Sequence, residues 1–124
     1  MKDITKTEFE VLEALWEDSP ASAQDIIQRL NHKKDWHDKT VKTLLSRLVK
    51  KQAIDFQKQQ RSYMYFPLFE RDAYVTKESE SLVSRLFKGR VAPLVAGFAN
   101  TDSLSKTDID ELKALIDKWE QNND

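Results

Sequence analysis

Residues 38–51 read DKTVKTLLSRLVKK, and the spacing of their apolar members decides the fold. Val41, Leu44, Leu45, Leu48 and Val49 recur at i, i+3, i+4, i+7 and i+8, the stripe that one face of an α-helix presents to a core. The other positions, Lys39, Thr40, Lys42, Thr43, Ser46, Arg47 and Lys50, are cations and short hydroxyls, and no acid follows Asp38. A solvated helix face ordinarily mixes both signs of charge, because Glu–Lys pairs four apart support it. Cations and hydroxyls on a rigid rod match phosphates and base edges instead, and the major groove admits a helix of this width. The spacing predicts a DNA recognition helix. Asp38 stands at its start, where a carboxylate suits the helix dipole and can cap free N–H groups.

Upstream, Thr5-Lys6-Thr7-Glu8 is a capping box, and Ile4 and Phe9 are placed as a hydrophobic staple. A first helix is expected to about Asp18, burying Phe9, Val11, Leu12, Leu15 and Trp16, with Glu8, Glu10, Glu13 and Glu17 on a solvated face. Ser19-Pro20 ends it. Ser22 then caps a shorter helix from Ala23 to Leu30, with Ile26, Ile27 and Leu30 inward. A polar connection, 31–37, leads into the cationic helix. Its histidines, His32 and His37, lack the further ligands that a metal site needs, and they read as surface residues.

Downstream, Ala53–Lys58 and Ser62–Leu68 are strand-like runs separated by Gln59-Gln60, an expected antiparallel hairpin with Lys58 and Arg61 near its tip. Helix, helix, cationic helix and basic-tipped hairpin, in that order, make a winged helix-turn-helix. The alternative for the hairpin is a purely structural one that closes the core. Beyond Pro67 the character changes to helices with apolar stripes: Leu82, Val83, Leu86 and Phe87; then Val91, Leu94, Val95 and Phe98; then, after a capping-box variant at Ser105–Asp108, Ile109, Leu112, Leu115, Ile116 and Trp119. These stripes lack a core of their own. They could fold back on the first region or pair with a second chain, and pairing is favoured because a symmetric dimer gives a small reader affinity and specificity. The expected fold is mainly α with a small β-hairpin: a winged helix-turn-helix domain over 1–68 and a C-terminal helical dimerisation region over 69–124.

The chain's 124 residues suit one compact domain with an appended interaction element. Its net charge of −1 argues against a generic nucleic-acid coat. The local distribution is more informative, since 39–61 holds seven Lys or Arg against Asp55 alone. That is the footprint of a specific reader. With no cysteine there is no disulfide, thiolate metal site or redox switch. No apolar run reaches membrane-spanning length and no signal-peptide pattern opens the chain, so a cytoplasmic location is expected. A Gly-rich phosphate loop, a nucleophile with a base and a metal-ligand cluster are all missing from the pattern, which points away from an enzyme and from any cofactor. Tyr63, Tyr65 and the tryptophans read as core-packing residues.

The run DWHDKTVKTLLSRLVKKQAI at 35–54 closely resembles the recognition-helix segment of the BlaI/MecI family of penicillinase repressors, whose relatives include the copper-responsive CopY repressors. EFEVLEALWEDSPASAQDII near the start and PLVAGFAN at 93–100 resemble that family in order and spacing. The resemblance implies a homodimer that binds double-stranded palindromic operators of TACA/TGTA type and shuts off transcription until an inducing signal, relayed by a protease or sensor, acts. By position it implies that Thr40, Lys42, Thr43, Ser46 and Arg47 face the groove and that Lys58 and Arg61 lie in the wing. Two features depart from the family. The Asn-Phe pair cut in β-lactam-responsive members corresponds here to Gly97-Phe98, and the cysteine motif of the copper-responsive members has no counterpart.

Overall fold

The computed structural model describes residues 3–123. Helices α1 (Lys6–Glu17), α2 (Ala23–Asn31) and α3 (Asp38–Lys50) precede the antiparallel strands β1 (Ile54–Gln59) and β2 (Ser62–Pro67). Helices α4 (Arg71–Phe87), α5 (Val91–Asn100) and α6 (Lys106–Asn122) follow. The architecture is mainly α with a small hairpin, and the first three helices with the hairpin form a winged helix-turn-helix. Contacts divide the chain into two compact units, one reaching Thr76 and the other beginning at Lys77.

The core of the first unit is built from the predicted stripes. Val11, Leu12 and Leu15 of α1 meet Ile26, Ile27 and Leu30 of α2 and Val41, Leu44, Leu45 and Leu48 of α3, and Ala53 and Ile54 close it from the hairpin side. Each fully buried Leu or Ile contributes about 1.5–3 kcal/mol relative to exposure. Phe9 and Trp16 are half-buried rather than buried. They join Phe69 and Tyr74 in an aromatic cluster with ring centroids 5.6–6.2 Å apart. The Trp16 Nε1–H donates to the Phe69 carbonyl at 3.1 Å, and Arg71 forms a 2.8 Å ion pair with Glu13. The first turn of α4 therefore belongs to the winged unit.

Capping boxes start three of the helices, at Thr5/Glu8, Ser22/Asp25 and Ser105/Asp108. Glu8 is not on a solvated face, contrary to its sequence reading. It is 1% exposed. Its Oε1 accepts from the Thr5 N–H at 2.8 Å and from Lys51 Nζ at 2.6 Å, while Lys51 also donates to the Asp3 carbonyl at 2.7 Å. The capping box turns the carboxylate inward, and a lysine 43 residues away neutralises it. Glu10 and Glu13 are ion-paired too, with Lys34 and Arg71.

In the second unit no described side chain is fully buried. Leu94, Val95 and Phe98 of α5 and Leu104, Leu112 and Leu115 line an open hollow. Pro93 sits in the first turn of α5, where its missing N–H removes no helical bond. Leu86, Val91, Phe98, Leu115, Ile116 and Trp119 stay exposed, Leu115 and Trp119 by 63% and 65%.

Candidate nucleic-acid interface

Helix α3 places its two faces as the spacing predicts. Val41, Leu44, Leu45 and Leu48 are buried, and Lys39, Thr40, Lys42, Thr43, Ser46, Arg47 and Lys50 are all exposed. At 100° per residue these seven occupy an arc of about 160° opposite the core. Lys39, Lys42, Thr43 and Ser46 line one shallow concavity with His37 and Asp38. Among the described residues, none of Lys39, Lys42, Arg47, Lys50, Lys58 and Arg61 is in an ion pair; the ion-paired cations are Arg29, Lys34, Lys51, Arg71 and Lys106. Each unpaired cation is a charge still available to a polyanion.

Both ends of α3 are fixed by local chemistry. Its N-cap is His37, not Asp38: the extended His37 backbone lets its Nδ1 accept from the Lys39 N–H at 3.2 Å. Asp38 is the first helical residue, where its charge still meets the positive end of the helix dipole. At the other end, Gln52 takes φ +62°, its N–H donates to the Val49 carbonyl and the Ala53 N–H to the Leu48 carbonyl, both at 3.0 Å. This is a Schellman motif with glutamine where glycine is the default. It turns the chain directly from α3 into β1.

The hairpin register is Ile54↔Pro67 through Gln59↔Ser62, leaving Gln60 and Arg61 as the two-residue turn. Lys58 lies opposite Tyr63, next to the turn, and both Lys58 and Arg61 are exposed. A third strand segment joins the sheet by a single bridge. Ala21 and Tyr65 exchange backbone hydrogen bonds of 2.9 and 2.8 Å. Tyr65 packs on the core, whereas Tyr63 is half exposed, against its core-packing reading, because the hairpin extends past the helices at that point. Thr43 also differs from a free groove-facing hydroxyl. Its Oγ1 donates to the Lys39 carbonyl at 2.9 Å, which leaves oxygen lone pairs and a methyl group for a ligand.

Among the described residues no group of three or more His, Cys, Asp or Glu is placed to hold a metal ion. No described helix is long and apolar enough to cross a membrane.

The penicillinase repressor family model matches residues 4–118. The methicillin resistance regulatory protein MecI of Staphylococcus aureus (strain N315) is 34% identical over 116 residues, 94% of this chain and 94% of the relative. The penicillinase repressor of Bacillus licheniformis is 30% identical over 115 residues, 93% and 90% of the two chains. Two solved structures resemble the winged unit at 32% identity and a TM-score of 0.52. The solution structure of the DNA-binding domain of the repressor BlaI covers 60% of this chain and 94% of its own. That of the Bacillus licheniformis BlaI monomeric form with the blaP half-operator covers 59% and 89%.

Proposed function

The chain belongs to the penicillinase repressor family, and we propose that it is a dimeric, sequence-specific DNA-binding transcriptional repressor rather than an enzyme. The observation that carries this reading is the exposed cationic face of α3, which has no acid after Asp38 and whose cations are in no ion pair among the described residues, followed in the chain by a hairpin bearing Lys58 and Arg61. In the mechanism, α3 enters the major groove. Arg47 and Lys42 bond base edges or adjacent phosphates, Thr40 and Ser46 make shorter hydrogen bonds, and Thr43 offers an acceptor and a methyl group. Lys39, Lys50, Lys58 and Arg61 neutralise phosphates, the last two from the wing.

The winged unit, which with the first turn of α4 reaches Thr76, does the reading, and the helices beyond it bring two readers together. Support for pairing comes from the apolar side chains of the second unit: Leu82, Leu86, Val91, Phe98, Ile109, Leu115, Ile116 and Trp119 are exposed, and Leu94, Val95 and Leu112 are only half-buried. A second copy supplies a matching surface by two-fold symmetry. The BlaI complex with a half-operator fits the same scheme, one chain to each half of a symmetric site. Occupation of a TACA/TGTA-type palindrome over a promoter, in the cytoplasm, then blocks transcription. An inducing protease or sensor is the partner that would end it. A protease acting at Gly97-Phe98 meets a peptide inside α5, which must open locally before cleavage.

The reading is tested by fluorescence anisotropy of a labelled TACA/TGTA palindrome and a scrambled duplex across a salt series. Preference for the palindrome, with affinity falling steeply as salt rises, is the expected result. Equal, weak binding to both duplexes would reject specific reading and favour a protein-interaction role for the winged unit.

A further inference from the structure

Lys51 belongs to the basic run by its sequence, and the structure takes it out of that run. Val41, Leu44, Leu48 and Lys51 follow one another at i, i+3, i+7 and i+10, so Lys51 prolongs the buried stripe of α3 rather than its cationic face. It is the C-cap of α3, and its N–H donates to the Arg47 carbonyl at 2.9 Å. Its ammonium donates to Glu8 Oε1 at 2.6 Å and to the Asp3 carbonyl at 2.7 Å. Glu8 is held in turn: the same oxygen accepts from the Thr5 N–H at 2.8 Å, and the Glu8 N–H donates to the Thr5 hydroxyl at 3.2 Å. The pair therefore ties the last turn of α3 to the first turn of α1. As a source of stability the arrangement is poor. Glu8 is sealed from water, Lys51 largely so, and Glu8 Oε2 is buried with no hydrogen-bond partner. What the pair supplies is direction.

We propose that Glu8 and Lys51 are positioning residues for base reading: their bond fixes the rotation and axial register of the end of α3, and with it the base edge that Arg47 meets. The proposal rests on the DNA-binding reading and deepens it. Val41, Leu44, Leu45 and Leu48 hold α3 on the core by apolar contacts, which have no preferred direction, and cores lose uniqueness before they lose stability. A charge-assisted hydrogen bond has a defined length and angle. Side-chain ends lie ~5–6 Å from a helix axis, so a rotation of about 10° moves them by about 1 Å. A shift of that size breaks a two-point bond to a base edge, whose donor–acceptor distances span only ~0.5 Å. Flexible lysines on phosphates follow the same shift without loss. Removing the pair is therefore felt in the discrimination between sequences and not in the affinity for duplex DNA at large.

The experiment uses the full chain and compares wild type, Glu8→Gln/Lys51→Met, Glu8→Gln and Ile26→Val under conditions in which urea curves show each of them folded. Competition binding is measured on the TACA/TGTA palindrome, its single-base variants and a scrambled duplex, across a salt series. The double variant is expected to discriminate roughly tenfold less well between the palindrome and its single-base variants, the scale of one base contact. Its affinity for the scrambled duplex and its salt slope stay those of the wild type. Glu8→Gln alone, which is isosteric, shows a smaller loss in the same direction and decides the matter by itself should the double variant not fold. Ile26→Val, which thins the same core away from the pair, discriminates as the wild type does. Placed in an Arg47→Ala background, the double variant adds no further loss, because it acts through that side chain. Wild-type discrimination in the folded variants, an equal loss in Ile26→Val, or full additivity with Arg47→Ala overturns the proposal and leaves the DNA reading intact. So does a salt slope flattened by about one unit with all duplexes weakened alike, which would make Lys51 a phosphate contact. Failure of the wild type to prefer the palindrome over the scrambled duplex refutes the DNA reading, and this proposal with it.

Discussion

Replacing Lys51 with methionine removes the cation that, among the described residues, neutralises a carboxylate sealed inside the winged unit. Glu8 is 1% exposed, its Oε1 holds the Lys51 ammonium at 2.6 Å, and its Oε2 has no hydrogen-bond partner. In Lys51→Met the carboxylate keeps the Thr5 N–H and nothing else of comparable strength. Stranding one member of such a pair costs about 3 kcal/mol, a large share of the roughly 5–15 kcal/mol that holds a domain together. The double variant Glu8→Gln/Lys51→Met removes both charges, and the glutamine oxygen can still accept from Thr5. It should therefore be more stable than Lys51→Met alone, with a coupling energy of about 2 kcal/mol across the cycle.

Urea unfolding followed by tryptophan fluorescence measures these differences, because Trp16 and Trp36 both pack on the core. The pH dependence supplies a second check. Burial pushes the Glu8 carboxyl up, but the hydrogen bonds from Lys51 and Thr5 and the charge of Lys51 outweigh it and hold the group below its ordinary value. A depressed carboxylate stabilises the fold above its unfolded pKa and loses that contribution as pH falls through the folded value. The wild type should lose its margin over Glu8→Gln progressively from about pH 4.3 downward. A Lys51→Met variant within about 0.5 kcal/mol of wild type at neutral pH would refute the reasoning.

Three further perturbations address other parts of the account. Arg47→Ala should relax sequence preference, costing about 1–3 kcal/mol of discrimination between the palindrome and single-base variants; competition binding measures it, and unchanged discrimination removes Arg47 from base contact. Gln52→Gly relieves a left-handed backbone conformation at the end of α3 and should raise stability by about 0.5–1 kcal/mol in the same urea assay, whereas a loss would mean that the Schellman turn is not strained. Leu115→Glu with Trp119→Lys should shift the chain from dimer to monomer in sedimentation equilibrium and leave the helical circular dichroism of the winged unit in place; an unaltered mass would locate pairing elsewhere.

The helices were legible because their spacing is local. One stripe in 38–51 fixes both the buried side of α3 and, by elimination, its cationic side, and Thr5/Glu8, Ser22 and Ser105 mark three helix starts within four residues each. Features joined across distance were not legible. Glu8 has the pattern of a surface acid in a capping box, and only the fold brings Lys51 to it. The Ala21–Tyr65 bridge is one residue pair long, too short for any period to show. The cap of α3 was misplaced by one residue because a carboxylate is the commoner acceptor, yet the extended backbone at His37 puts an imidazole nitrogen there instead. Tyr63 read as core because alternation identifies its face, while where the helices stop covering that face is a property of the packed unit.

Selection from a pool of random duplex DNA with the purified full chain at near-physiological salt, followed by sequencing, tests the central claim most directly. A two-fold symmetric site with half-sites about one helical turn apart is the predicted outcome, with the two strongest positions of each half-site lost in Arg47→Ala. Recovery of no enriched sequence, with binding that salt abolishes, would contradict it: the cationic face of α3 would then be a non-specific patch and the dimer not a reader of operators.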